Sequence, residues 1–188
     1  MTHPPLRADG KIESVVTSLE MFAPPTGAAV PPPRGDLAIV HAVRPTVSFY
    51  RYLYDTVGAP WLWTDRDRRK LDDAALARVV QDPAVEVFVL YLAGVPAGYV
   101  ELDGRVAGEV EIAYLGILPE LIGQKLGPHL LDWALRRAWA GGPRRVWVHT
   151  CTLDHPRALA MYERAGLCVF KREVETADDP RGWERPGG

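Results

Sequence analysis

The chain has 188 residues, 47% apolar and 24% charged, which suits one globular domain with one core and leaves little room for two. A formal net charge of −2 gives no electrostatic case for nucleic acid or an anionic membrane as a partner. The two cysteines, Cys151 and Cys168, stand in no metal-like spacing, so no metal is expected, and a reducing cytoplasm fits better than a disulfide scaffold.

The N-terminus lacks the apolar stretch of a signal peptide, and no apolar run approaches a membrane span, so a cytoplasmic chain without a membrane contact is expected. Residues 15–22 can form a strand, and the Pro-rich run that follows, through Pro33, reads as extended linker. Residues 37–43 are β-branched-rich and predict a strand. Thr46 or Ser48 then caps a helix that Gly58 and Pro60 end. The run from Asp65 to Lys70 mixes signs and reads as a solvated turn. A second helix is expected over 72–80. Strands at 85–91 and 97–102 flank Gly94-Val95-Pro96 as an antiparallel hairpin, and residues 109–118 form the next strand.

Leu126, Leu130, Ala134 and Ala138 recur every four residues beside Leu131 and Leu135, the period of a long helix with one core-facing stripe, stopped by Gly141-Gly142-Pro143. A strand at 145–150, a helix at 156–165 ended by Gly166, and a strand at 168–174 complete the order. An α/β fold follows, with a mixed sheet and helices packed on it.

Two segments carry chemistry. The first runs from Ile117 to Gly127, where an apolar strand enters a glycine-bearing turn and a long helix opens behind it. Such a turn gathers backbone N–H groups at the positive end of a helix, where a phosphate is stabilised. The second runs from His155 to Leu167, holds Tyr162, and repeats the strand-to-helix theme. Together with the element order, these segments resemble the GNAT superfamily of acetyl-CoA-dependent N-acetyltransferases. The resemblance spans roughly 37–174. It implies a mainly antiparallel mixed sheet with helices on both faces, a domain over 37–175, an N-terminal extension over 1–36 outside the shared core, and a tail over 176–188.

The family's pyrophosphate loop, [Gln/Arg]-x-x-Gly-x-[Gly/Ala], falls by its spacing from Pro119 on Ile122, Gly123, Gln124, Lys125, Leu126 and Gly127. Ile122 replaces the usual Gln or Arg, and Lys125 replaces the central glycine while adding a positive charge. Pro128 follows at an early helical position. The resemblance also implies that backbone groups of Leu115, Gly116, Ile117 and Leu118 pair with the pantetheine arm of acetyl-CoA. The second motif appears as His155 with Tyr162-Glu163-Arg164-Ala165-Gly166-Leu167, histidine standing for asparagine and leucine for phenylalanine. Tyr162 would protonate the departing CoA thiolate, and His155 would touch the cofactor or cap the helix.

Strict alternation along 109–118 puts Glu109, Glu111, Ala113, Leu115 and Ile117 on one face, and Val110, Ile112, Tyr114, Gly116 and Leu118 on the other. Glu111 is either a structural carboxylate or the base that the chemistry requires, because an alkylammonium of pKa roughly 10 cannot attack while protonated. Tyr50, Trp61 and Trp63 belong to a dense aromatic stretch that is either acceptor pocket or helix packing, and Arg44 or Arg51 could hold a substrate carboxylate. The activity implied is acetyl transfer to a primary amine of a small molecule or peptide, by direct attack in a ternary complex. Two alternatives stay open: a non-catalytic acyl-CoA-binding or regulatory domain, and a thiol-dependent transferase in which His149 or His155 activates Cys151. An exposed edge strand could pair two copies as a homodimer.

Overall fold

The computed structural model describes residues 7–63 and 68–182. The signal-peptide reading of the first six residues, residues 65–67 of the mixed-charge run, and the last six of the expected tail lie outside the described residues.

One seven-stranded sheet organises the chain, in the order β2-β3-β4-β5-β6-β1-β7. The strands are β1 (Lys11–Met21), β2 (Leu37–His41), β3 (Val85–Leu92), β4 (Val95–Asp103), β5 (Glu109–Ile117), β6 (Arg145–Cys151) and β7 (Cys168–Asp178). Every neighbouring pair is antiparallel except β5 and β6. Helices α1 (Val47–Gly58) and α2 (Asp73–Val80) cover one face, and α3 (Leu126–Trp139) and α4 (Ala158–Arg164) the other. The expected mixed α/β sandwich is therefore what forms.

Local signals set the element ends. Thr46 caps α1 by accepting from the Phe49 N–H, and Asp72 caps α2 by accepting from the Ala75 N–H. Along β3, Val87 and Val89 face α1 and α2, while Phe88, Leu90 and Leu92 join the core under α3, so the strand is apolar on both faces.

The N-terminal segment, expected outside the core shared with the family, adds a strand to the sheet: β1 sits between β6 and β7, and Leu19 and Met21 are buried in the core under α3. Nothing local in the sequence dictates that placement, because both partners of β1 lie more than 120 residues away. Reaching β2 from β1 means crossing five strand spacings, roughly 24 Å, and the extended stretch 22–36 can span roughly 45 Å. The linker is fastened to α3 on the way. Arg136 donates to the Gly27 carbonyl, the Val30 N–H donates to Asp132, and the Val30 carbonyl lies 2.8 Å from His129 Nδ1. At the other end β7 runs on to Asp178, so its last residues, expected as tail, pair with the start of β1.

One expectation is corrected, at Arg68. It is buried rather than solvated, and its guanidinium meets the fully buried Glu101 at 2.6 Å. Burial opposes the charge on Arg68, but the Glu101 carboxylate outweighs it and raises the pKa.

Candidate active site

The site begins with an interruption in β5. Pairing with β4 slips so that Glu101 opposes Tyr114 and Leu102 opposes Ile112, leaving Ala113 as an extra residue. Such a bulge bends the strand and shifts its alternation. Ile112 faces the α3 core, Ala113 and Tyr114 both face the α1–α2 core, and Leu115 and Ile117 return to the α3 side. Strict alternation therefore fails beyond Ile112. Glu111 shares a face with Tyr114 and Gly116, not with Leu115 and Ile117.

The same bend parts β5 from β6. Their parallel ladder ends at Ile112 and Val148, although β5 runs on to Ile117 and β6 to Cys151. Beyond that point β5 keeps only β4 as a partner, and the edge facing β6 opens into a cavity of about 330 Å³.

Leu115, Gly116 and Ile117 line this cavity, while Leu118 is buried in the α1–α2 core. Gly116 is required by space: a Cβ there would lie 2.2 Å from Val57 Cγ1. Of the turn residues, Ile122, Gly123, Lys125, Leu126, Gly127 and Pro128 line the cavity, and Gln124 does not. Lys125 holds the helix N-cap position with φ of 61°, the left-handed region that a central glycine adopts without cost. No side chain caps α3, so the first-turn N–H groups of Leu126 and Gly127 point out of the helix end. Lys125, Arg157 and Arg164 bring positive charge to the lining.

Tyr162 is buried and lines the cavity from α4. Burial, and secondarily the Asp154 carboxylate, raise its pKa, so the hydroxyl keeps its proton. His155 lines the cavity; its Nδ1 accepts from the Arg157 N–H and its ring stands edge-on to Trp61. Burial, then Arg157, lower the His155 pKa.

On the acceptor side Trp61 and Trp63 line the cavity, but Tyr50 does not. Tyr50 is fully buried and donates its hydroxyl to Glu101 at 2.5 Å, a packing role. Arg51 is held by Asp73 and the Leu71 carbonyl, and neither it nor Arg44 lines the cavity. Glu111 is buried and also off the lining; its Oε1 lies 3.3 Å from Nδ1 of His149, which is on the lining.

Several lining residues had no sequence signal. Ser14, Val16 and Glu175 arrive on β1 and β7, whose place in the sheet is a long-range matter. Asp154 accepts from the Thr150 hydroxyl, the Cys151 N–H and the Trp63 indole N–H. The Cys151 thiol is pushed up to about 12, first by burial and then by Asp154, the opposite of what a nucleophilic cysteine needs. Among the described residues no group of His, Cys, Asp and Glu is arranged to hold a metal, and no helix is long and apolar enough to cross a membrane.

Solved structures share this fold. A GCN5-related N-acetyltransferase from Kribbella flavida superposes with a TM-score of 0.59 at 19% identity, over 95% of this chain and 61% of that one. Another from Sphaerobacter thermophilus gives 0.58 at 18%, over 95% and 55%. The chain thus spans less than two thirds of these longer proteins. An aminoglycoside acetyltransferase from an uncultured soil metagenomic sample, in complex with sisomicin, gives 0.57 at 17%, over 70% and 88%. At such identities the likeness is one of fold. No curated protein matches the sequence. The model of the acetyltransferase (GNAT) family matches residues 47–167, more than half the sequence, and the chain belongs to that family.

Proposed function

We propose that this protein transfers the acetyl group of acetyl-CoA to a primary amine by direct attack in a ternary complex. One observation carries the reading: a single cavity runs from the N-terminal turn of α3, along the open edge of β5, to Tyr162 and the Trp61–Trp63 wall. An anionic diphosphate is stabilised at the α3 end by first-turn N–H groups and the charge of Lys125. An extended arm is matched by the backbone edge that β6 leaves free. The amine enters from the tryptophan side, the proton it sheds is taken up toward Glu111, and Tyr162 gives its proton to the leaving thiolate. The raised pKa of Cys151 supports direct attack over an acyl-cysteine route.

Isothermal titration with acetyl-CoA, CoA and dephospho-CoA, followed by thiol release across a set of amines, tests the proposal. Binding with turnover is expected. Binding without turnover on any amine would favour a non-catalytic acyl-CoA-binding domain, and no binding would remove both readings.

A further inference from the structure

Glu111 has its Oε1 shut off from solvent and does not line the cavity, so an acceptor amine cannot reach that atom directly. His149 lines the cavity, and its Nδ1 lies 3.3 Å from that atom. Its place follows from the parting of the strands. His149 is the first residue of β6 beyond the last β5–β6 pair, Ile112 and Val148, and the side chains on either side of it belong to the opposite face. The imidazole therefore shares the face of Glu111 at the mouth of the opening, with Nδ1 3.3 Å from Glu111 Oε1.

We propose that His149 is the group that takes the proton from the acceptor amine, with Glu111 behind it as a positioning carboxylate. The proposal rests on the acetyl-transfer reading and adds a catalytic residue to it. The alkylammonium gives one proton to Nε2 of the neutral imidazole. Nδ1 keeps its proton 3.3 Å from Glu111 Oε1, and the carboxylate charge offsets the imidazolium, the logic of a carboxylate behind a catalytic histidine. The freed nitrogen lone pair forms the N–C bond at the thioester carbonyl, the C–S bond breaks with its electron pair on sulfur, and Tyr162 protonates the thiolate. The new N–C bond leaves a positive charge on that nitrogen, and the acidic proton it sheds to become the neutral amide restores the Tyr162 hydroxyl. The imidazolium then loses its proton to solvent, so the cycle releases one proton.

Cys151, Asp154, His155, Arg157, Arg164 and Glu175 share the cavity lining with His149, as do Lys125, Tyr114 and Tyr162, and Ser18 pairs with it on β1. One strand further on, Lys171 and Glu173 of β7 bridge each other at 2.7 Å. Arg145, earlier on β6, is held by Glu20 and Glu109. Among the described residues, Glu111 is a carboxylate at ion-pair distance from the ring.

The test is a pH titration of the full chain labelled with ¹⁵N-histidine, the signal of His149 being identified by its loss in His149→Gln. The expected result is a neutral ring protonated on Nδ1, and a midpoint that falls by about one pH unit in Glu111→Gln. An unmoved midpoint overturns the pairing. In thiol release with the amine that turns over fastest, Glu111→Gln, His149→Gln and the double variant should each lose rate by about 10²-fold, with acetyl-CoA affinity unchanged. Losses that multiply in the double variant, or a His149→Gln enzyme at full rate, overturn the relay alone. Absence of acetyl-CoA binding in the unmutated protein would instead overturn the acetyl-transfer reading, and the relay with it.

Discussion

The indole N–H of Trp63 donates to Asp154 at 3.1 Å across 91 positions of sequence, joining the segment after α1 to the loop between β6 and α4. Asp154 also holds the Thr150 hydroxyl and the Cys151 N–H, so one carboxylate fixes the end of β6 and one wall of the cavity. Trp63 is in turn wedged among Tyr54, Tyr99 and Tyr114. The wall on the acceptor side is therefore set by packing and a charge-assisted hydrogen bond rather than by loop freedom.

Trp63→Phe keeps most of that packing and removes the donor. A stability loss of about 1–2 kcal/mol is expected in urea unfolding, because Asp154 is left short of one partner. KM for the amine should rise while acetyl-CoA affinity stays near the original, since the substitution leaves the α3 turn itself unchanged. An equal loss of both affinities would place Trp63 in general folding rather than in the acceptor wall.

Gly116→Ala sets a Cβ 2.2 Å from Val57 Cγ1, and something must shift. A loss of about 1–3 kcal/mol is expected from overpacking. Because the clash has one partner, Val57→Ala should recover part of it in the double variant, giving a non-additive cycle. Additive losses would mean that the strand path, not the contact with α1, is what Gly116 serves.

The legible parts of this chain were those with local causes. Thr46 caps α1 as its position predicts, and the every-fourth-residue stripe of α3 is buried as expected. Lys125 at a glycine position was visible too, and its left-handed backbone shows why glycine suits that position. What could not be read depends on distant partners. The bulge at Ala113 arises in the pairing with β4, and it moved Glu111 to the face of Tyr114. The insertion of β1 between β6 and β7 depends on segments far along the chain, so Ser14 and Glu175 were invisible as lining residues. Tyr50, at the edge of an aromatic stretch, went to the core because Glu101 gave its hydroxyl a buried partner.

Lys125→Gly separates strain from charge. The left-handed backbone costs a side chain about 1–2 kcal/mol, so the variant should be more stable by about 1 kcal/mol, seen as a rise in Tm of about 2–4 °C. Acetyl-CoA affinity should nevertheless fall at low salt and converge on the original at high salt, because the lost contribution is a screened charge. Unchanged salt dependence would show that Lys125 does not meet the diphosphate.

Tyr162→Phe removes only the hydroxyl of a residue packed in the core, so folding should be little affected. Since the raised pKa keeps that hydroxyl protonated, it can act as an acid throughout the neutral range. Turnover should drop by about 10²-fold with acetyl-CoA affinity intact. Acceptance of a thioester whose thiol is far more acidic should narrow the gap, because that leaving group needs no proton. Equal losses with both donors would make Tyr162 a packing residue.

Cys151 and Cys168 give a direct check on the thiol route. Cys168 is exposed, whereas Cys151 is partly buried with its thiol pushed up to about 12. At pH 8 the native Cys151 thiol therefore keeps its proton, and alkylation by iodoacetamide should mark Cys168 and spare Cys151 until urea unfolds the chain. The sign of the linkage follows. The unfolded thiol ionises near its ordinary value of roughly 8.5, while the folded one still holds its proton, so this group's contribution to stability is whole below that value and declines as pH rises toward about 12. Cys151→Ser should therefore keep acetyl transfer and lose part of the fall in stability above pH 9. An acetyl adduct on Cys151 after incubation with acetyl-CoA, trapped in the absence of amine, would reverse this and bring the covalent route back.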